Sequence, residues 1–191
     1  MCNNFSVLAI LGFSILSSLA PTFTEECNTR NILWKGIWEK KGNLAKQSLQ
    51  SHMITNGYDV IDNDQWKTVV RKIISKAKLD HVGSVCEFGC GSGAFLSVVQ
   101  EMLPKAKLNG CDYSTSLVDV AKRTVPKGNF WVQNITKPVA NKTFQKVDLA
   151  ICYGVLLYLN SEEDVKDSIK NMSRCVNSNG QLLIGEVSDL K

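Results

Sequence analysis

Three glycines fall at every second position in Glu87-Phe88-Gly89-Cys90-Gly91-Ser92-Gly93, directly after an apolar run and directly before a helical pattern. This spacing lets the backbone turn sharply and leaves bare peptide N–H groups open to a ligand, because no Cβ stands in the way. The donors lie at the positive end of the helix that follows. Glu87 then narrows the chemistry. A carboxylate two residues before the first glycine repels a pyrophosphate and suits a cationic ligand. The glycines taken alone, Gly89-x-Gly91-x-x-Ala94, also meet the loose dinucleotide fingerprint, so an NAD(P)-dependent oxidoreductase stands as the second reading. Cys86 and Cys90 are four apart, but no second pair and no His cluster completes a four-ligand set, so no metal is expected. His52 and His81 are the only histidines, and neither is assigned a catalytic role.

Elements that position such a turn can be read on both sides of it. From Asn63, Trp66, Val69, Val70, Ile73, Ile74 and Ala77 recur at three- and four-residue spacing, which predicts an amphipathic helix with Trp66 in the core. After His81, short apolar runs alternate with helix-period segments, the pattern of parallel βα units. Strands are predicted at 84–88, 107–111, 129–132, 147–153 and 181–187, and helices at 94–103, 115–123 and 161–175. The strand runs are apolar without clean alternation, as in a sheet covered on both faces. Ser161 precedes Glu162, Glu163 and Asp164, an N-cap followed by acids that favour the start of a helix. Asn179-Gly180 reads as the turn into the last strand. Residues 21–60 are polar and irregular, with aromatic anchors at Trp34 and Trp38, and read as a cap or lid.

With these elements in order, 87–93 resembles motif I of the class I S-adenosylmethionine-dependent methyltransferases, in a small-molecule, type 11/12-like branch. The resemblance spans residues 84–187. It implies an α/β fold, a Rossmann-like three-layer sandwich with a mostly parallel sheet, and S-adenosyl-L-methionine as cofactor. Glu87, Gly89, Cys90, Gly91 and Gly93 would form the cofactor turn. Asp112, nineteen residues after Gly93, matches the family's ribose-binding acid, and a carboxylate accepts well from two vicinal hydroxyls. Tyr113 follows where the family often places a residue against the ribose or adenine. Asn134, beside Ile135, stands where the family commonly has an acid that bonds the adenine amino group, and its side-chain oxygen can still accept. Cys152 or Tyr153 would border the methionyl part.

Many small-molecule members carry a histidine near the position of Tyr158, so the resemblance leaves the catalytic residue unassigned. Tyr153, Tyr158 and the Trp34/Trp38 segment are candidates for the acceptor pocket, with packing as their simpler role. The implied reaction is methyl transfer to a small-molecule acceptor, with a truncated, non-catalytic cofactor-binding product as another reading. A complete member has seven strands, the last two forming an antiparallel hairpin. This sequence is expected to lack those two, which would leave its fifth strand as an unpaired edge.

Composition sets the outer bounds. The 191 residues suit one domain, 44% are apolar and 21% charged, and the net charge of +4 is spread without a basic arm. Nucleic acid is therefore not expected as a partner. Phe5 to Ala20 is uncharged and apolar, with small residues before Pro21, and reads as a signal peptide or an uncleaved anchor, although no Lys or Arg precedes Arg30. That reading implies the secretory pathway; without it the chain would be cytoplasmic. The organisation is thus 1–20 leader, 21–80 cap and helix, and 81–191 cofactor-binding domain. A cut after Ala20 leaves six of seven cysteines, an even count, yet Cys86, Cys111 and Cys152 lie in apolar runs where reduced thiols pack as small hydrophobes. Sequons at Asn4, Asn134, Asn141 and Asn171 matter only in the secretory pathway.

Overall fold

The computed structural model describes residues 6–10, 27–47, 61–76, 82–139 and 144–186; of 6–10, 27–32, 46 and 47 it describes the backbone alone. Strand β1 (Ser6–Ile10) and helices α1 (Cys27–Gln47) and α2 (Asn63–Lys76) precede the alternating part. That part runs β2 (Ser84–Phe88), α3 (Ala94–Met102), β3 (Lys107–Asp112), α4 (Thr115–Thr124), β4 (Asn129–Val132), β5 (Val147–Tyr153), α5 (Glu162–Arg174) and β6 (Val176–Gly185). The sheet order is β1-β6-β5-β2-β3-β4, and every pair is parallel. From β2 the chain winds outward through β3 to β4, then returns to β5 on the other side of β2. The order reverses between β2 and β5, and in such sheets the crevice beyond the carboxyl ends at the switch point is where ligands bind.

Successive strand residues face opposite layers, and the two faces have different covers. Val85, Leu149, Ile151 and Leu183 point into one core with Trp66, Val70 and Ile74 of α2, Phe95 and Val99 of α3, and Ala121 of α4. Cys86, Ala150, Cys152, Leu182 and Ile184 point into the other, beneath Met172 of α5. Burial on both faces explains why these strands read as unbroken apolar runs. Cys86, Cys90, Cys111, Cys152 and Cys175 are free and buried, the packing role expected for Cys86, Cys111 and Cys152. Ser161 caps α5, accepting from the Asp164 N–H as its position predicts, and Ser114 caps α4 by accepting from Leu117.

Three features differ from expectation. The segment read as irregular contains α1, a helix of 21 residues whose apolar periodicity is weak because much of its length is solvated. Strand β6 begins at Val176, not 181, so Asn179-Gly180 lies inside the strand, where the pairing with β5 shifts register. A Cβ at Gly180 would come within 2.7 Å of the Asp148 carbonyl oxygen, so the glycine admits a close backbone approach where a turn was expected. The edge of β6 is also paired. Ser6–Ile10, part of the apolar run read as a leader, lies alongside Gln181–Gly185.

Candidate functional site

The carboxyl ends of β2, β3 and β5 open onto one cleft of about 1020 Å³, counting its mouth. Its floor is the glycine turn. Gly89, Gly91 and Gly93 have φ of 80, 51 and 82°, the left-handed region that disfavours a side chain. At Gly89 a Cβ would also strike the side chain of Val155. The Gly89 and Cys90 N–H groups donate to the Cys111 carbonyl at 2.7 and 2.9 Å, which ties the turn to β3.

Asp112 completes that tie. Its Oδ2 accepts from the Gly91 N–H at 3.0 Å and its Oδ1 from the Ser114 N–H at 2.9 Å. Burial nonetheless pushes its carboxyl up to about 6, the backbone hydrogen bonds opposing the rise only in part. Asp112 also lines the cleft, and a carboxylate has more acceptor sites than these bonds fill, so it can still receive hydroxyls.

Glu87 is 4% exposed and lines the same cleft, and its Oε2 is buried without a hydrogen-bond partner. Burial first, then the Asp112 charge, hold its carboxyl well above the usual carboxylate range. An orphaned buried carboxyl oxygen is costly unless a donor or cation completes it. The site therefore fits a ligand that carries an ammonium group and a ribose, and it opposes a pyrophosphate.

The other sequence candidates divide. Glu87, Gly89, Gly91, Asp112, Tyr113, Asn134 and Ile135 all line the cleft. Cys90, Gly93 and Cys152 do not. Cys90 is buried in the core with α3 and α4, and Gly93 packs its backbone against Ala121, where a Cβ would sit 3.3 Å from the Ala121 Cα. Cys152 points down into the core beneath α5, since alternation along β5 sends its neighbour Tyr153 to the cleft face instead. Asn134 is placed as expected, but its Oδ1 accepts from the Thr136 N–H at 2.9 Å, a local turn bond. The two histidines lie outside the described residues.

Helix α1 forms one wall, and the residue that fixes it was not among the candidates. Glu39 Oε2 accepts from the Ser114 hydroxyl at 2.6 Å, its Oε1 from the Ser116 N–H at 3.1 Å, and its carbonyl from the Ser116 hydroxyl at 2.8 Å. The carboxylate thus sits at the N-terminus of α4, where the helix dipole favours negative charge. Gly42 lies where a Cβ would come within 2.8 Å of the Leu117 nitrogen, so its lack of a side chain lets the helices approach. A lone Glu in a polar stretch gives no sequence signal for this contact. From this anchor Trp34 and Trp38 meet the Tyr158 ring edge to face, with centroids 4.8 and 5.4 Å away. Trp38, Tyr153 and Tyr158 line the cleft, and Trp66, buried as expected, donates its indole N–H to the Ala94 carbonyl at 3.2 Å.

A profile of the methyltransferase domain family matches residues 86–182, just over half of the chain and all of the glycine turn, and the chain belongs to that family. This membership removes the oxidoreductase alternative that the glycine spacing left open. The sequence is 28% identical over 151 residues to a malonyl-[acyl-carrier protein] O-methyltransferase of Bacillus anthracis, covering 78% of this chain and 52% of that protein. It is 25% identical over 162 residues to a ubiquinone/menaquinone biosynthesis C-methyltransferase of Desulfotalea psychrophila, covering 82% and 61%. The chain thus spans between half and two thirds of these relatives' length.

Among solved structures the fold resembles an amino pentose methyltransferase of Micromonospora echinaspora with bound S-adenosylmethionine (TM-score 0.59, 16% identity, 75% of this chain and 59% of that one). It also resembles the magnesium protoporphyrin IX methyltransferase of Synechocystis (TM-score 0.54, 17% identity, 82% and 74%).

Proposed function

We propose that this chain binds S-adenosyl-L-methionine and directs its methyl group to a small-molecule acceptor. The observation that carries the reading is the orphaned Oε2 of Glu87, buried beside a glycine turn with no phosphate-compatible charge around it. Glu87 would hold the ammonium of the methionyl tail, Asp112 the ribose, and the loop of Asn134 and Ile135 the base. When bound, the cofactor supplies a methyl group already activated on a sulfonium, so the protein need form no covalent intermediate.

This chain's residues then act by placement. The glycine turn is locked by its hydrogen bonds to Cys111 and Asp112, which fixes the donors before a ligand arrives. Tyr153, Val155 and Tyr158, at the end of β5 and just after it, wall the side of the cleft that faces α1. A small acceptor is supported by the relative named for ubiquinone/menaquinone biosynthesis, whereas the other is named for a malonyl group borne on an acyl-carrier protein.

Calorimetry with S-adenosylhomocysteine tests the reading. Wild type is expected to bind it in preference to NAD(H). Asp112→Ala is expected to lose about 1.5–3 kcal/mol of that affinity, because two ribose hydroxyls and the Gly91 N–H lose their acceptor. Unchanged affinity in the variant removes Asp112 from the ribose site.

A further inference from the structure

A helix opens with N–H groups that find no partner within it. At the start of α4 these donors are divided between two carboxylates from distant parts of the chain. Asp112 Oδ1 takes the Ser114 N–H at 2.9 Å, and Glu39 Oε1, from α1, takes the Ser116 N–H at 3.1 Å. The Ser114 hydroxyl takes the Leu117 N–H at 3.2 Å. That hydroxyl has a single proton to give, and it goes to Glu39 Oε2 at 2.6 Å. Ser114 is thus held at once by Asp112, by Glu39 and by its own helix.

Ser114 and Ser116 are buried, at 0% and 1% exposure, so bulk water does not stand in for Glu39. Without its carboxylate the Ser116 N–H has no acceptor, a cost that drives either water into the turn or the turn away from its place. Only Tyr113 separates Ser114 from Asp112, so no loop absorbs such a shift before it reaches the carboxylate. Glu39 also adjoins Trp38, which lines the cleft and meets Tyr158 edge to face. Glu39 is not among the residues that line the cleft, so it acts only through its neighbours.

Resting on the methyltransferase reading, we propose that Glu39 is a positioning residue for the cofactor: acting through Ser114, it holds Asp112 where it meets the ribose, and by the same contact it seats Trp38 on the cleft wall. Loss of Glu39 then removes the part of the affinity that depends on the ribose hydroxyls. A residue that only tied α1 down would lower stability and leave all parts of the ligand alike.

Calorimetry with S-adenosylhomocysteine and with its 2′-deoxy analogue separates the two, at a temperature where each variant is folded. Wild type is expected to prefer the hydroxylated ligand by at least about tenfold, the worth of one hydrogen bond to a charged acceptor. Glu39→Ala is expected to bring that preference down to about threefold or less. Glu39→Gln keeps a carbonyl for the Ser116 N–H and an amide that can donate to the Ser114 hydroxyl, so it should restore most of the preference. Glu39→Asp keeps the charge but is one methylene too short for both contacts, so its preference should fall below that of wild type; this variant carries the test if the alanine chain fails to fold.

A wild-type preference kept in the alanine and aspartate variants, with only the thermal midpoint lowered, overturns the role of Glu39 alone. Equal binding of the two ligands by wild type also overturns it. Wild type that binds neither ligand overturns the methyltransferase reading, and this role with it.

Discussion

Glu87 and Asp112 are two carboxyls in one low-dielectric cleft, and their environment gives them a measurable pH signature. In the ligand-free protein Asp112 titrates at about 6 against an ordinary 3.8, and Glu87 is raised as well. In the unfolded chain these groups ionise first, so the folded state binds more protons and stability falls as pH rises through that window. The loss is complete only above the folded values. An ammonium placed at Glu87 favours its charged form, so ligand binding expels a proton and affinity rises with pH until Glu87 is ionised in the free protein. Calorimetry of S-adenosylhomocysteine across a series of pH values, in buffers of different ionisation enthalpy, should show net proton release over a window above the usual carboxylate range, and Glu87→Gln should abolish most of it. Binding heats independent of buffer would place the ammonium elsewhere.

These two residues were legible in the sequence because their positions are tied to strand ends and to glycines that only a ligand-facing turn requires. Cys152 or Tyr153 was expected beside the methionyl part, and of the two it is Tyr153 that lines the cleft. In a strand buried on both faces, composition does not reveal which neighbour points to the cleft, and Tyr153 holds that position.

At the scale of elements, α1 depends on one carboxylate. Glu39 takes one hydrogen bond from the Ser114 hydroxyl and one from the Ser116 N–H, at the charged end of α4. Glu39→Ala is expected to cost about 1.5–3 kcal/mol by denaturant unfolding, the range for hydrogen bonds to a charged group. It should also speed proteolytic cutting within α1. Unchanged cutting would mean that the Trp34 and Trp38 contacts with Tyr158 suffice. The strands β2, β4 and β5 match their sequence reading because their apolar runs are bounded by turn residues, whereas α1 was missed because its weakly amphipathic pattern carries no clear period.

For the molecule as a whole, the switch point between β2 and β5 fixes where ligands go, and this much follows from the order of βα units alone. The pairing of β1 with β6 does not, because it joins residues at opposite ends of the sequence and nothing local encodes it. Leu8→Pro, at the centre of β1, is expected to lower the thermal midpoint of the chain while leaving nucleoside affinity nearly intact, since β6 and β5 both lie between β1 and the strand that carries the turn. An unaltered midpoint would mean that this strand adds nothing to the fold.

The same pairing carries a consequence for folding order. Ser6 meets Gln181, so this ladder closes a longer loop than any other pairing of the sheet, and contacts of such separation form late. Until Ser6–Ile10 arrives, the outer edge of β6 is a row of unpaired peptide groups on which a strand of another chain can template itself.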